Sequence, residues 1–391
     1  MKKNTLTYLV IFLSLAFAGG AVGMLINNKD NLLKNKESTP TSTLSVLGEK
    51  KKTKSEYDEM ASQIIACMDN RLKNEDGIYY SNLICDQNDN CDPVFSNRSS
   101  TPPIWAKFKY AKLHQDQEMF DSLLTDAKNV KDNVNTIQNV FWNCKFVAEV
   151  MDDFEILRRA GIITTKEKQL ITLNLCIERN TYFYGKITEG QEKSVPDEPI
   201  QFNLQELATA LENPDYQGKF VLAMEDPNFV TFLPSEYLAK YWMTHQEEDL
   251  KKSNFFFHQA LELVKKQHQT MSPAYICMVG ETSLDYFRLF EDKYYLELAK
   301  TLYNNTNIKP DSLKTMGILD QAVCGRFVKG MATLTKENDY YLHSNQIMTN
   351  LIQNHRDNSG CFVDGLNTSE KEVPIYANSL IVDLLLESQD E

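Results

Sequence analysis

The chain has 391 residues, 42% hydrophobic and 10% aromatic, enough to bury the core of one large domain or two ordinary ones. Its formal net charge is −13, but the first 54 residues are basic, so residues 55–391 hold 32 basic against 51 acidic side chains, a net −19. Such a surface repels phosphate backbones and argues against nucleic acid as a partner of the folded part.

Lys2 and Lys3 precede an uncharged stretch from Leu6 to Ile26, about long enough to cross a bilayer as a helix. Two readings of residues 1–26 stay open. One is an uncleaved signal anchor, favoured because the apolar run continues past Ala18 through Met24-Leu25-Ile26, with the membrane as a partner. The other is a signal peptide using Ala16-Phe17-Ala18 as its small-x-small site. Either places the remainder outside the cytoplasm, membrane-anchored or secreted. Residues 27–54, rich in Asn, Lys, Ser and Thr, have little to bury and read as a disordered linker.

The folded domain then covers 55–391. A first helix is expected over Ser55 to Leu72, ending at Asn74-Glu75-Asp76-Gly77, and Ile78-Tyr79-Tyr80 reads as a short β-like piece. Ser100-Thr101-Pro102-Pro103 is a helix start, with a capping hydroxyl and prolines in the first turn. Val140 to Ala160 carries an i, i+3/i+4 stripe (Phe141, Cys144, Val147, Ala148, Met151, Phe154, Leu157) that predicts a long helix, followed by another through Cys176 to about Arg179. Residues 181–200 read as a loop and Gln205 to Leu211 as a short helix. Met224-Glu225-Asp226-Pro227 breaks the chain before a helix starting near Pro234-Ser235-Glu236. The tally is about eleven to thirteen helices and almost no strand.

One phrase recurs along this path: an amphipathic helix, a polar break, then a second helix led by aromatics. It reads as Trp105 to His114 followed by Glu118-Met119-Phe120 to Val130, and as Tyr237 to His245 followed by Phe255 to Val264. It returns as Tyr275 to Phe290 with Tyr294-Tyr295 to Tyr303, and as Ala322 to Leu334 with Tyr340-Tyr341 to Ile352. Helix pairs repeated every 30 to 50 residues or so point to a solenoid or a closed toroid. The two ends also echo each other: Arg71 to Tyr79 and His355 to Phe362 both run helix end, polar turn, glycine, then apolar and aromatic residues.

The eight cysteines form no C-x-x-C pair, which fits an oxidising compartment better than a metal site. The pairing expected is Cys85–Cys91 around a polar loop, Cys144–Cys176 and Cys277–Cys324 between neighbouring helices, and Cys67–Cys361 from the start of the domain to its end. Buried free thiols are the alternative.

Asp292-Lys293-Tyr294-Tyr295-Leu296-Glu297-Leu298-Ala299 and Glu337-Asn338-Asp339-Tyr340-Tyr341-Leu342 resemble the second-helix openings of six-hairpin glycosidase-like (α/α)6 toroids. Asp76-Gly77-Ile78-Tyr79 and Ile375-Tyr376-Ala377-Asn378-Ser379-Leu380 to Leu386 are similar to turn and final-helix patterns there. The resemblance covers roughly residues 55–388 and implies an all-α toroid. Members are commonly glycoside hydrolases, polysaccharide lyases or sugar epimerases, and some have no known activity. Fold analogy alone does not select among them.

Glycosidic cleavage needs one protonated and one ionised carboxyl. Three acids interrupt apolar or loop surroundings that would raise a carboxyl pKa: Glu281 after Ile276 to Gly280, Asp320 after Met316 to Leu319, and Asp226 at the break before Pro227. Each also reads as a helix cap or a buried hydrogen-bonded acid. Tyr79, Tyr80, Trp105 and Trp142 are candidate platforms for sugar C–H faces, with core filling as the plainer role. No H-E-x-x-H, P-loop, G-x-S-x-G or G-x-G-x-x-G sequence occurs, so neither a metal nor a cofactor is expected. Asn97, Asn304 and Asn367 begin N-x-S/T sequons.

These readings converge on an extracytoplasmic, carbohydrate-active toroid whose partner is a glycan or polysaccharide, hydrolytic if catalytic. A non-catalytic toroid binding glycan or protein in envelope assembly or adhesion is the rival. An open tetratricopeptide-like scaffold is a third option, weakened because its 34-residue period is not kept. Contact between helix 55–72 and helix 374–387 separates closed from open forms.

Overall fold

The computed structural model describes residues 55–94, 101–132, 203–212, 230–304, 310–365 and 369–387. Expectations for 1–54, for the helices over 140–179, for the loop 181–200 and for Cys144–Cys176 lie outside these residues. The elements are α1 (Glu56–Arg71), β1 (Asn82–Cys85), β2 (Cys91–Val94), α2 (Thr101–His114), α3 (Gln117–Asp132), α4 (Leu204–Glu212), α5 (Leu233–Thr244) and α6 (Glu247–Gln267). Then come α7 (Pro273–Phe290), α8 (Lys293–Asn304), α9 (Pro310–Leu313), α10 (Ile318–Thr335), α11 (Asn338–Asn354), β3 (Lys371–Pro374) and α12 (Ile375–Glu387). No helix among the described residues is long and apolar enough to cross a membrane.

The recurring phrase is a helical hairpin: α2 packs on α3, α5 on α6, α7 on α8, and α10 on α11. All four first helices stop in the same way. Gln115, His245, Glu291 and Lys336 take left-handed φ values of 53°, 55°, 57° and 62°. The N–H groups of the last three return to carbonyls four residues back. One more polar residue (Asp116, Gln246, Asp292 or Glu337) leads into the second helix. Asp116 and Asp292 turn their carboxylates onto the N–H groups of Met119 and Tyr294, satisfying donors that a helix start leaves unpaired. So short a link allows only an antiparallel pair.

The first helices neighbour one another in sequence: α5 beside α7, α7 beside α10, α10 beside α12, and α12 beside α2. They form the inner layer, with α3, α6, α8 and α11 behind them. Helix α1 packs on α12 and α2, so the first helix of the domain backs the last. The ends meet, as a closed form requires and an open arc forbids. Cys67–Cys361 locks that contact across 294 residues, with Cα atoms 5.7 Å apart. Cys277–Cys324 ties α7 to α10, and Cys85–Cys91 joins directly opposed residues of β1 and β2. These are three of the four expected pairs.

Strand is nearly absent among the described residues, as expected, and is confined to three four-residue pieces. β2, β1 and β3 form an antiparallel three-stranded sheet that closes one side of the ring where α12 begins. Ile78-Tyr79-Tyr80 is not part of its ladder. Gly77, at φ 76°, turns the chain back so that Tyr79 bridges Lys73 instead. The echo at the other end is the same turn: Gly360 has φ 89° and Phe362 bridges Arg356. The hydrogen bonds match one for one, Asn74 N to Ile78 O and Tyr80 N to Leu72 O against Asp357 N to Cys361 O and Val363 N to His355 O.

Candidate functional site at the mouth of the ring

The inner helices open onto one mouth. Asp320, in the first turn of α10, accepts the Ala274 N–H of the first turn of α7 at 2.9 Å and the Ser272 hydroxyl beside it. Asp364 in turn accepts the Ile318 N–H that begins α10, at 2.8 Å. The starts of α7 and α10 are therefore side by side, each capped by an acid from the next unit. Phe232, just before α5, and Tyr376, in the first turn of α12, meet edge-on with centroids 6.1 Å apart. Helices α7 and α10 separate α5 from α12 in the ring, so this contact spans the mouth.

A second acid joins Asp364 there. Asp364 and Glu372 are antiparallel partners exchanging both backbone hydrogen bonds, at 2.9 and 3.0 Å. Such partners carry their side chains on one face, with Cα atoms about 5.5 Å apart. Both carboxyls are raised above their ordinary values. For Asp364 the chief cause is burial, opposed by the Ile318 N–H and His355 and reinforced by the charge of Asp320. Glu372 is exposed on β3, so the desolvation that raises it comes only from the part of its carboxyl turned to the sheet, with repulsion from Asp364 added and the Asn82 amide, donating at 2.5 Å, opposing. His355 contacts Gln321 through Nε2 at 2.9 Å and the Val363 carbonyl through Nδ1 at 3.2 Å. Acids in such surroundings hold a proton to higher pH than a free carboxyl does and can release it to a substrate oxygen.

The acids expected from sequence are placed differently. Asp320 is at the mouth, acting as the cap of α7. Glu281 lies seven residues beyond Ala274, about 10 Å deeper along α7. There it meets Arg326 at 3.5 Å, and Arg326 reaches Asp383 at 3.1 Å. Asp383 is also paired with Lys109. One charged side chain from each of α2, α7, α10 and α12 thus fills the middle of the ring. The structure does not bring Asp320 and Glu281 together. Asp226 and Trp142 lie outside the described residues.

The aromatic platforms shift as well. Trp105 is 2% exposed and is held between Lys109 and Arg326, 4.5 and 5.2 Å from its ring, so its faces are occupied by cations. Tyr79 is fully buried, its hydroxyl 2.5 Å from Asp69 and 2.9 Å from Asp126. Lys107 and Lys73 close this network, each 2.6 Å from Asp126. Burial pushes the Tyr79 hydroxyl well above its usual range, and both aspartates add to the effect. Asp69 stays below its ordinary value, because Lys107, Tyr79 and Lys73 outweigh its burial. Tyr79 and Trp105 are therefore core residues with polar partners. Tyr80 is half-buried against the core. Phe232 and Tyr376, likewise partly buried against the core, are the aromatics placed at the mouth among the described residues.

Neither Asp364 nor Glu372 stood out in the sequence, although Asp364 directly follows three core residues, Cys361, Phe362 and Val363, and that run was the available signal. Among the described residues no group of three His, Cys, Asp or Glu is placed to hold a metal ion.

Solved structures share this architecture. An unsaturated glucuronyl hydrolase specific for heparin matches at a TM-score of 0.54 and 10% identity, over 86% of this chain and 97% of its own. An unsaturated glucuronyl hydrolase variant from Streptococcus agalactiae, complexed with dGlcA-GalNAc6S, matches at 0.52 and 10%, over 90% and 96%. An α-1,6-mannanase from Salegentibacter matches at 0.50 and 10%, over 86% and 99%. The fold shared with them is an (α/α) toroid of helical hairpins. At such identity the likeness reaches the fold and stops there. No sequence-family model matches the chain, and no curated protein does.

Proposed function

We propose that this toroid is an extracytoplasmic glycan-processing domain that cleaves a glycosidic bond at its mouth. The observation that carries the reading is the Asp364–Glu372 pair, two same-face carboxyls with raised pKa at the opening of the inner helices. Glu372, protonated, would donate to the leaving glycosidic oxygen. Asp364, steadied by the Ile318 N–H, would act as the ionised partner that activates water or stabilises the cationic sugar. Phe232 and Tyr376 give the opening an aromatic wall for sugar C–H faces. The disulfides and the basic, apolar start of the chain support an exported protein, tethered if residues 1–26 are retained. The matched enzymes act on glycans, which favours a glycan partner here.

The test is release of reducing ends from a panel of polysaccharides and oligosaccharides, including unsaturated glucuronyl disaccharides and α-1,6-mannan. Wild type is compared with Glu372→Gln, Asp364→Asn and Asp320→Asn. Loss of about two to four orders of magnitude in rate with Glu372→Gln is expected. Full activity in that variant would sink the assignment.

One observation favours a second reading, a non-catalytic glycan- or protein-binding toroid. The middle of the ring is filled by Trp105 and the Lys109–Asp383–Arg326–Glu281 side chains, so the mouth has a shallow floor. Glycan binding that survives Glu372→Gln, with no turnover on any substrate, would select it.

A further inference from the structure

A groove of about 720 Å³ opens between α1 and the turn after α11, flanked by the Cys67–Cys361 bridge and apart from the acids of the mouth. Pockets for small ligands run from about 300 to 1,000 Å³. Its lining is mainly polar, with two arginines and one carboxylate among the side chains. The two arginines differ. Arg71 is matched, 3.4 Å from the Asp357 carboxylate and 2.8 Å from the Ser359 hydroxyl. Arg356 lines the groove and gives one Nη2 bond to the neutral Gln63 amide, with no carboxylate paired to it among the described residues. A guanidinium lining a cavity without an ion-pair partner has N–H donors to offer an oxygen the protein does not supply.

The charge balance says which kind of oxygen. Residues 55–391 carry a net −19, yet among the described residues no carboxylate offsets the Arg356 cation of this groove. A planar guanidinium edge is matched best by a two-oxygen anion such as a carboxylate or sulfate. Around it, the Asn70 and Asn358 amides can read hydroxyl groups, and Ala66 and Ile352 supply a small apolar face. Anion, hydroxyls and an apolar face together describe an acidic sugar. We propose that this groove is a binding subsite for a uronate or sulfated sugar residue, anchored by Arg356. The assignment holds whether or not the mouth cleaves.

Titration calorimetry on the full chain in detergent micelles tests this. The probes are a glucuronate-bearing disaccharide, its neutral counterpart with the carboxylate replaced by a hydroxymethyl group, and inorganic sulfate. The acidic disaccharide should bind, with the neutral one about tenfold weaker or more. Arg356→Gln should weaken it by about ten- to a hundredfold, and Ala66→Trp, which fills the groove without touching a charge, by a similar factor. Glu372→Gln should leave this affinity unchanged while removing cleavage, so the two proposals fail separately. Equal affinity for acidic and neutral sugars, or undiminished binding in folded Arg356→Gln, overturns the assignment. Sulfate binding as tightly as the disaccharide does too, as an adventitious ion only. Should Arg356→Gln not fold, undiminished binding in Ala66→Trp overturns it and loss of binding supports it.

Discussion

Removing the Cys67–Cys361 bridge should cost more stability than removing either other bridge among the described residues. Its ends are 294 residues apart, and the bridges spanning 6 and 47 residues shorten the unfolded loop only to about 240. Chain entropy puts the loss of denatured-state freedom at about 5.5 kcal/mol for such a loop, against about 4 for Cys277–Cys324 and about 2 for Cys85–Cys91. Both ring-closing cysteines are buried, at 3% and 0% exposure, and alanine at each leaves no free thiol. Packing of α1 on α12 and α2 remains in the variant. Urea unfolding of the three double-alanine variants, at matched slopes, measures the order directly. If Cys85→Ala/Cys91→Ala proves as costly as Cys67→Ala/Cys361→Ala, loop closure is not what these bridges contribute and the closed-ring reasoning fails.

Asp320→Ala should lose about 1–2 kcal/mol in the same assay, since the Ala274 N–H loses its cap, whereas Asp320→Asn should lose little; equal stability of Asp320→Ala and wild type would refute the capping role. Asp364 and Glu372 sit above their ordinary 3.8 and 4.5, so the native state holds these protons more tightly than the unfolded chain. Their favourable contribution is whole below about pH 4 and falls as pH climbs through the raised values, so Asp364→Asn/Glu372→Gln should lose less stability across that rise; parallel curves count against it. Lys107→Met leaves Asp126 facing Lys73 alone and should cost about 3–5 kcal/mol by urea midpoint, with a near-neutral result refuting the buried network. Gly280→Ala would place a methyl 2.5 Å from the Phe327 ring and should cost about 1–3 kcal/mol, partly restored by Phe327→Leu; no change would mean that α7 and α10 pack less closely than described.

The hairpins were legible because their signals are local. Aromatics such as Tyr294-Tyr295 and Tyr340-Tyr341 open the second helices, and a polar pair such as Glu291-Asp292 or Lys336-Glu337 makes the link. The echo between Gly77 and Gly360 was legible too, since a left-handed turn favours glycine wherever it recurs. The site was not. Asp320 stood out through its apolar neighbours Ile318 and Leu319, but a first-turn acid beside apolar residues is what an inter-helix cap also requires. Trp105 drew attention as a platform, and its two cations come from Lys109 one turn on and from Arg326, more than two hundred residues away. The Asp364–Glu372 pair depends on a register that only the folded sheet sets. Sequence periodicity carries which residues face inward; it does not carry which inward-facing charges meet.

Among the mouth acids, hydrogen bonding separates structural from chemical roles. An inner helix presents about half a positive charge at its start, and several starts gather here, so carboxylates at the mouth are favoured without any reaction. Asp320 is fully accounted for in this way: it caps α7, and the unit after it caps α10 through Asp364. A chain of caps, each lent by the next hairpin, holds the openings of neighbouring inner helices in register. A capping N–H lowers a carboxyl's pKa, yet Asp364 stays raised despite one, so its burial and its acidic neighbours outweigh the helix end. Among the described residues Glu372 caps no helix N–H and accepts a side-chain hydrogen bond from the Asn82 amide, while Asp364 pushes it further up. Capping therefore explains Asp320, explains Asp364 in part, and does not explain Glu372. The acid that stability leaves unaccounted for is the one whose replacement should change chemistry before it changes folding.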